Sequence, residues 1–116
     1  MQRLAPNQIG AAGQLQEWLE DWDIRAPDPH NRHVSHLYGL FPGEDISYAA
    51  DPSLVAAVKK SLELRGDDAT GWGLGWRLNL WARLHDGPHA YKILQNLLAP
   101  ARADPNSRRD RSGVYD

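Results

Sequence analysis

Residues 71–85 read GWGLGWRLNLWARLH. Wound as a helix, Trp72, Leu74, Trp76, Leu78, Leu80, Trp81 and Leu84 leave no clearly polar face. A helix that is apolar nearly all round is buried on most of its sides. Gly73 and Gly75 each weaken such a helix by roughly 1 kcal/mol relative to alanine. They are also the residues that let a neighbouring backbone or a ligand come close. A buried helix needs others to cover it, and the flanking sequence supplies them.

Upstream, residues 53–64, SLVAAVKKSLEL, put Leu54, Val55, Val58 and Leu62 on one face and Lys59, Lys60 and Glu63 on the other. This is a one-sided outer helix. Asp51 or Ser53 can cap it, Pro52 suits its first turn, and Gly66 can close it. Downstream, residues 89–98, HAYKILQNLL, carry a single stripe of Ala90, Ile93, Leu94 and Leu97 that Pro100 stops. Nearer the N-terminus, residues 14–22, QLQEWLEDW, place Leu15, Trp18, Leu19 and Trp22 at i, i+3, i+4 and i+7. That spacing predicts a further helix, opened after Gly13 and broken by Pro27 and Pro29. Residues 30–50 read as irregular, with a short helical turn at 35–40 and a Pro42-Gly43 turn. No period-2 run is long enough for a strand, and no internal repeat is visible. The expected fold class is therefore all-α, outer helices flanking a buried one.

The end of the chain differs. Residues 101–112, ARADPNSRRDRS, have no apolar face and read as a flexible charged tail. The apolar GVYD that follows stops abruptly, as in a truncated chain. The expected organisation is one partial helical domain over 1–100 and a flexible tail over 101–116.

Composition narrows the functional classes. Thirteen basic and fifteen acidic residues, a formal net charge of -2, give no nucleic-acid footprint. No stretch is long and apolar enough to span a bilayer, so no membrane partner is expected. The N-terminal MQRLAPNQIG lacks the basic start and apolar run of a signal peptide, and the compartment stays open. Without cysteine there are no disulfides or thiolate metal sites. Five tryptophans in 116 residues is a heavy load. Trp18, Trp22, Trp72, Trp76 and Trp81 suit a core, and they also suit surfaces that stack on sugar rings.

Candidate chemistry gathers in residues 30–43, HNRHVSHLYGLFPG, which hold three of the five histidines. Spacing at 30, 33 and 36 would suit a zinc-binding helix face, but Pro29 and the irregular backbone oppose one. No carboxylate stands where a general base would, so no metal is expected. His33 and His36 are read either as site residues or as imidazoles bonded to buried loop carbonyls. Glu17 is read as solvated or salt-bridged. Asp67 and Asp68 are read as helix caps, with Thr70 competing.

Three blocks in order carry a resemblance: QIG and GQLQEWLEDWD within 8–23, NRHVSHLYGLFPG at 31–43, and KSLELRGDDATGWGLGWRLNLWARLHDGPHAYKILQNLL at 60–98. Together they resemble the catalytic domain of glycoside hydrolase family 95, the inverting α-L-fucosidases. The resemblance implies helical hairpins from an (α/α)6 barrel. It implies hydrolysis of terminal α-linked fucose on fucosylated glycans, with inversion and no metal or organic cofactor. An inverting enzyme sets a general acid and a general base about 6.5–9.5 Å apart, with a water between. In the family the acid is a glutamate upstream of the QLQEW block and the base an aspartate beyond GVYD. The resemblance therefore places no catalytic residue in this chain, which is expected to be inactive alone.

What it does imply is a sugar-binding wall. Asn31, His33 and His36 would line or brace the pocket, with Asn31 standing where family members often carry histidine. Trp72 and Trp76 match the family's TGWSxAW helix, which faces the barrel interior. Gly73 there replaces a serine and Gly75 an alanine. Such a sector is expected to self-associate into a homo-oligomer through its apolar faces. The alternative is a stand-alone helical carbohydrate-binding or protein-interaction module.

Overall fold

In the computed structural model, residues 5–99 are described; the tail expected at 101–116 lies outside them. The chain divides into two compact units, Met1–Gly66 and Asp67–Asp116. The described residues form three α-helices, α1 (Pro52–Arg65), α2 (Gly71–Arg83) and α3 (Gly87–Leu98), with short 3-10 turns at Asp23–Arg25 and Ser35–Leu37. Their only β pairing is an isolated bridge between Ile9 and Leu15. The fold class is all-α.

In the first unit α1 buries Ala57, Val58, Ser61 and Leu62, the face the sequence pattern marks. Pro52 opens it, and its C-cap Gly66 (φ 79°) donates its N–H to the Leu62 carbonyl. A left-handed φ at that point suits glycine. The cap expected of Asp51 is not made. Its carboxylate instead accepts the Ser47 N–H at 2.9 Å, while the Ser47 hydroxyl accepts from Ala50. The aspartate closes the preceding turn, a local bond that competes with capping.

The helix expected over 14–22 does not form. Leu15 is 1% exposed, but Trp18, Leu19 and Trp22 are 51%, 69% and 60% exposed. The reason lies in competing partners for the backbone. The Leu15 N–H bonds the Ser61 hydroxyl at 2.9 Å and the Ala57 carbonyl at 3.1 Å, both on α1. Ser61 donates in return to the Leu15 carbonyl at 3.2 Å. The Glu17 N–H goes to the Asp23 carboxylate and the Ala11 N–H to that of Asp21. The Gln14 and Leu15 carbonyls, which a helix would bond to the amides of residues 18 and 19, accept from Gly10 and Ser61 instead. Val34, Leu37, Leu40 and Ile46 complete the buried apolar set of this unit.

The second unit is a helical hairpin in which α2 and α3 pack on each other. On α2 Gly73, Leu74, Arg77, Leu80 and Trp81 are buried, yet Trp72 is 68% exposed, so the helix is less enclosed than its sequence predicts. The turn after α2 returns two N–H groups to its end, His85 to Ala82 and Asp86 to Trp81, with His85 at φ 58°. This 5→2 and 6→1 pattern usually takes glycine. Asp86 then caps α3 by accepting the His89 N–H at 3.1 Å. The acidic pair before α2 does not cap it: Thr70 stands at the N-cap with no side-chain bond. Asp67 instead pairs with His89 (2.8 Å) and Lys92 (2.9 Å) on α3. The His89 ring lies flat on Trp81, centroids 3.7 Å apart.

Candidate functional site

Within the first unit a cleft of about 210 Å³ is lined by Gln14, Asp23, Ile24, Pro29, His30, His36, Ser61, Leu64 and Arg65. One wall is organised by Gln14, which is fully buried. Its side-chain amide donates to Asp21 at 2.9 Å and Asp23 at 3.1 Å, and its oxygen accepts from Ala12. Gly10 permits this: a Cβ there would lie 2.2 Å from the Gln14 nitrogen and 2.6 Å from Asp21. The opposite wall is the C-terminal turn of α1. There Arg65 forms a short ion pair with Glu17 and a long bond, 3.5 Å, to the Asp28 carbonyl. Arg65 is largely buried and Glu17 partly so.

The third wall is the turn at 28–36. The Asn31 N–H donates to the Asp28 carbonyl at 3.2 Å, and the Asn31 side-chain oxygen accepts the His33 N–H at 2.8 Å. The Arg32 Nε donates to the His33 Nε2 at 3.2 Å, which leaves the His33 ring exposed beside a guanidinium. His36 differs. Its Nδ1 is buried and has no hydrogen-bond partner among the described residues. Burial pushes its pKa down to about 4; the Glu17 and Asp23 carboxylates oppose that and the Arg65 guanidinium reinforces it. Burial thus keeps the ring neutral at neutral pH, one nitrogen a donor and the other an acceptor.

Of the five residues read as sugar-binding, His36 lines this cleft, while Asn31 and His33 lie on the turn that walls it. Neither histidine bonds a buried loop carbonyl in the way the sequence reading allowed. Trp72 and Trp76 belong to the second unit, where they meet edge to face at 6.3 Å and 60° on α2. A second cleft, about 370 Å³, is bounded by Trp18, Trp22, Arg25, Ala26 and Pro27. Among the described residues no group of three or more histidines or carboxylates could hold a metal ion.

The carboxylates at the first cleft are all engaged. Asp23 holds Gln14 and the Glu17 amide, Asp21 holds Gln14 and the Ala11 amide, and Glu17 holds Arg65. The arrangement can bind and orient hydroxyls. Gln14, Ser61 and Arg65 were missed by sequence reasoning. Ser61 had a signal, a hydroxyl between Val58 and Leu62 on an apolar stripe. Gln14 had none, because its neighbours in space are fixed by tertiary contacts.

The whole chain, residues 1–116, matches the family model described as Glycosyl hydrolase family 95 catalytic domain. It is 41% identical over 114 residues to Alpha-L-fucosidase 2 of Arabidopsis thaliana, covering 97% of this chain and 13% of that protein. Probable alpha-fucosidase A of Aspergillus niger is 41% identical over 92 residues, 74% of this chain and 11% of that protein. Probable alpha-fucosidase A of Aspergillus oryzae is 34% identical over 96 residues, 75% of this chain and 13% of its own length. The chain thus spans only about an eighth of the length of the curated relatives it matches.

Proposed function

The chain belongs to glycoside hydrolase family 95, and on that premise we propose that it forms a wall of the sugar pocket in the hydrolysis of terminal α-linked fucose with inversion. Its own residues bind and orient the sugar; the proton transfers belong to groups outside these 116 residues. The observation that supports this division is the cleft itself. The His36 ring lines it beside Ser61 and Arg65, and Asn31 and His33 stand on the neighbouring turn. Every carboxylate around it is held by an amide or by Arg65. A general acid and a general base need two carboxyls flanking one glycosidic bond, about 6.5–9.5 Å apart with a water between. The second unit, taken by itself, carries an exposed Trp72 beside Trp76, an apolar face suited to stacking on a pyranose.

The test is a graft. The chain replaces the aligned 114 residues of the Arabidopsis relative, and both the chimera and the isolated chain are assayed on nitrophenyl α-L-fucoside. The expected result is turnover by the chimera and none by the isolated chain. A folded but inert chimera overturns the sugar-wall reading, and robust turnover by the isolated chain overturns the division of labour.

A second reading, a stand-alone carbohydrate-binding module, is favoured by the cleft between the exposed Trp18 and Trp22. Saturable fucose binding by the isolated chain that Trp18→Ala or Trp22→Ala abolishes would support this reading. No binding at all would remove this reading.

A further inference from the structure

Two tryptophans on one closely bonded loop stay in water. Trp18 and Trp22 are both more than half exposed, and with Arg25 and Pro27 they line the second cleft of the first unit. Indoles are normally drawn toward a core. Here the backbone that carries them is held by polar bonds to a buried side chain.

That side chain is Gln14, where the loop departs. It is 2% exposed. Its amide nitrogen donates to Asp21 at 2.9 Å and to Asp23 at 3.1 Å, and its oxygen accepts the Ala12 N–H. A buried amide is costly unless it is bonded, and this one uses both its nitrogen and its oxygen. Trp22 therefore stands between two carboxylates held by one amide. Asp23 also accepts the N–H of Glu17, the residue before Trp18, and Asp21 accepts that of Ala11. Bonds to a carboxylate are stronger than those between neutral groups. Other bonds hold the same loop: Leu15 to Ser61, Gln16 to Gln8 and Glu17 to Arg65. They fasten its departing arm, residues 15–17. The Gln14 amide joins the returning arm, residues 21 and 23, to the departing one. Gly10 makes room for it, since a Cβ there would lie 2.2 Å from the Gln14 nitrogen. A loop ordered before a ligand arrives loses less freedom on binding, and indole faces suit the apolar face of a sugar ring.

We infer that Gln14 is a positioning residue for this cleft: by holding Asp21 and Asp23 on one buried amide it keeps Trp18 and Trp22 on a single opening, where a pyranose stacks on the indoles and Arg25 donates to its hydroxyls. The inference deepens the carbohydrate-binding reading and rests on it for the ligand. The setting of the loop can be measured without sugar.

The experiment uses the full chain with Gln14→Glu, with Gly10→Ala, and with Gln14→Glu combined with Asp21→Asn and Asp23→Asn. Thermal melting, NMR amide exchange at Ala11 and Glu17, the indole N–H resonances of Trp18 and Trp22, and titration with L-fucose are followed in each. Gln14→Glu keeps the length of the side chain but sets a third carboxyl against two others. The triple variant reverses the bonds: two asparagine amides donate to the introduced carboxylate and still accept the Ala11 and Glu17 N–H groups. The expected outcome for Gln14→Glu is several-fold faster exchange at both amides, shifted indole resonances, and fucose affinity about tenfold weaker, the scale of one lost charge-assisted bond. Amides of α3 should be unmoved. The triple variant should recover exchange and affinity, and Gly10→Ala, which crowds the same amide, should weaken binding with Gln14 intact. A Gln14→Glu chain that keeps the fucose affinity and the indole resonances of the unaltered chain overturns the inference, even if it melts earlier, because a purely stabilising bond would give that result. If Gln14→Glu does not fold, Gly10→Ala and the triple variant decide by the same readouts. If the unaltered chain binds no fucose, the carbohydrate-binding reading fails, while exchange and the indole resonances still decide whether Gln14 sets the loop.

Discussion

At the scale of single residues, the first cleft is shaped by polar groups that hold one another in place of water. His36 is the most constrained. Its imidazole is kept neutral because burial penalises the charged form more than Glu17 and Asp23 reward it. The sign of the linkage follows. The folded-state pKa, about 4, lies below the ordinary 6.5, so between those values the unfolded chain binds more protons. Stability contributed by neutral His36 is fully present above about pH 6.5 and is lost as the pH falls toward 4. The full effect is on the order of 3 kcal/mol, from roughly 1.4 kcal/mol per pKa unit. His36→Gln removes the titration and should flatten this part of the profile. Urea unfolding at pH 4.5 and pH 7 measures it; an unchanged slope in the variant would place the pH dependence elsewhere. Asp67 responds in the same direction, at lower pH. Burial pushes its carboxyl up, but bonds from His89 and Lys92 outweigh that and hold it below its ordinary value. Its contribution is therefore present above the ordinary carboxylate range and fades in acid.

At the scale of elements, α1, α2 and α3 obey the hydrophobic spacing and the 14–22 segment defies it. The difference is local competition. Over 14–22 the Ser61 hydroxyl, the Gly10 amide and the Asp23 carboxylate hold backbone groups in a non-helical path. The three helices keep their backbone ladders even where a side chain such as Asn79 bonds a carbonyl, that of Gly75, within α2. Gly66 closes α1, and α3 is opened by Asp86 and Pro88. Gly75 on α2 is a weak point. A Cβ there would meet nothing within 4 Å, so close approach is not what glycine serves at this position. Gly75→Ala should stabilise the hairpin by about 1 kcal/mol, the propensity difference in a helix interior. A calorimetric melt checks it; no gain, or a loss, would mean that the site needs the missing methyl for a partner.

At the scale of the whole molecule, the exposed apolar surface is large for a chain of this size. Trp18, Leu19, Trp22 and Ile24 in the first unit, and Trp72, Tyr91 and Leu98 in the second, stand more than half exposed. Surface of that kind drives association. The isolated chain is expected to self-associate, and light scattering across a concentration series should show a mass that climbs above that of one chain. A clean monomer at high concentration would contradict it. Much of this protein could be read without coordinates. Three of the four expected helices formed where the 3.6-residue spacing put them, because burial of one face is a local pattern of side chains. The family blocks lie in the same strings of residues. The cleft could not be read in that way. Gln14 against Asp21 and Asp23, Ser61 against Leu15, and Arg65 between Glu17 and Asp28 join positions up to 48 residues apart. Spacing along a chain reports which face of an element is apolar. It carries no information on which distant donor meets which acceptor, and only the tertiary structure, by closing those loops, decided where the polar groups of the site converge.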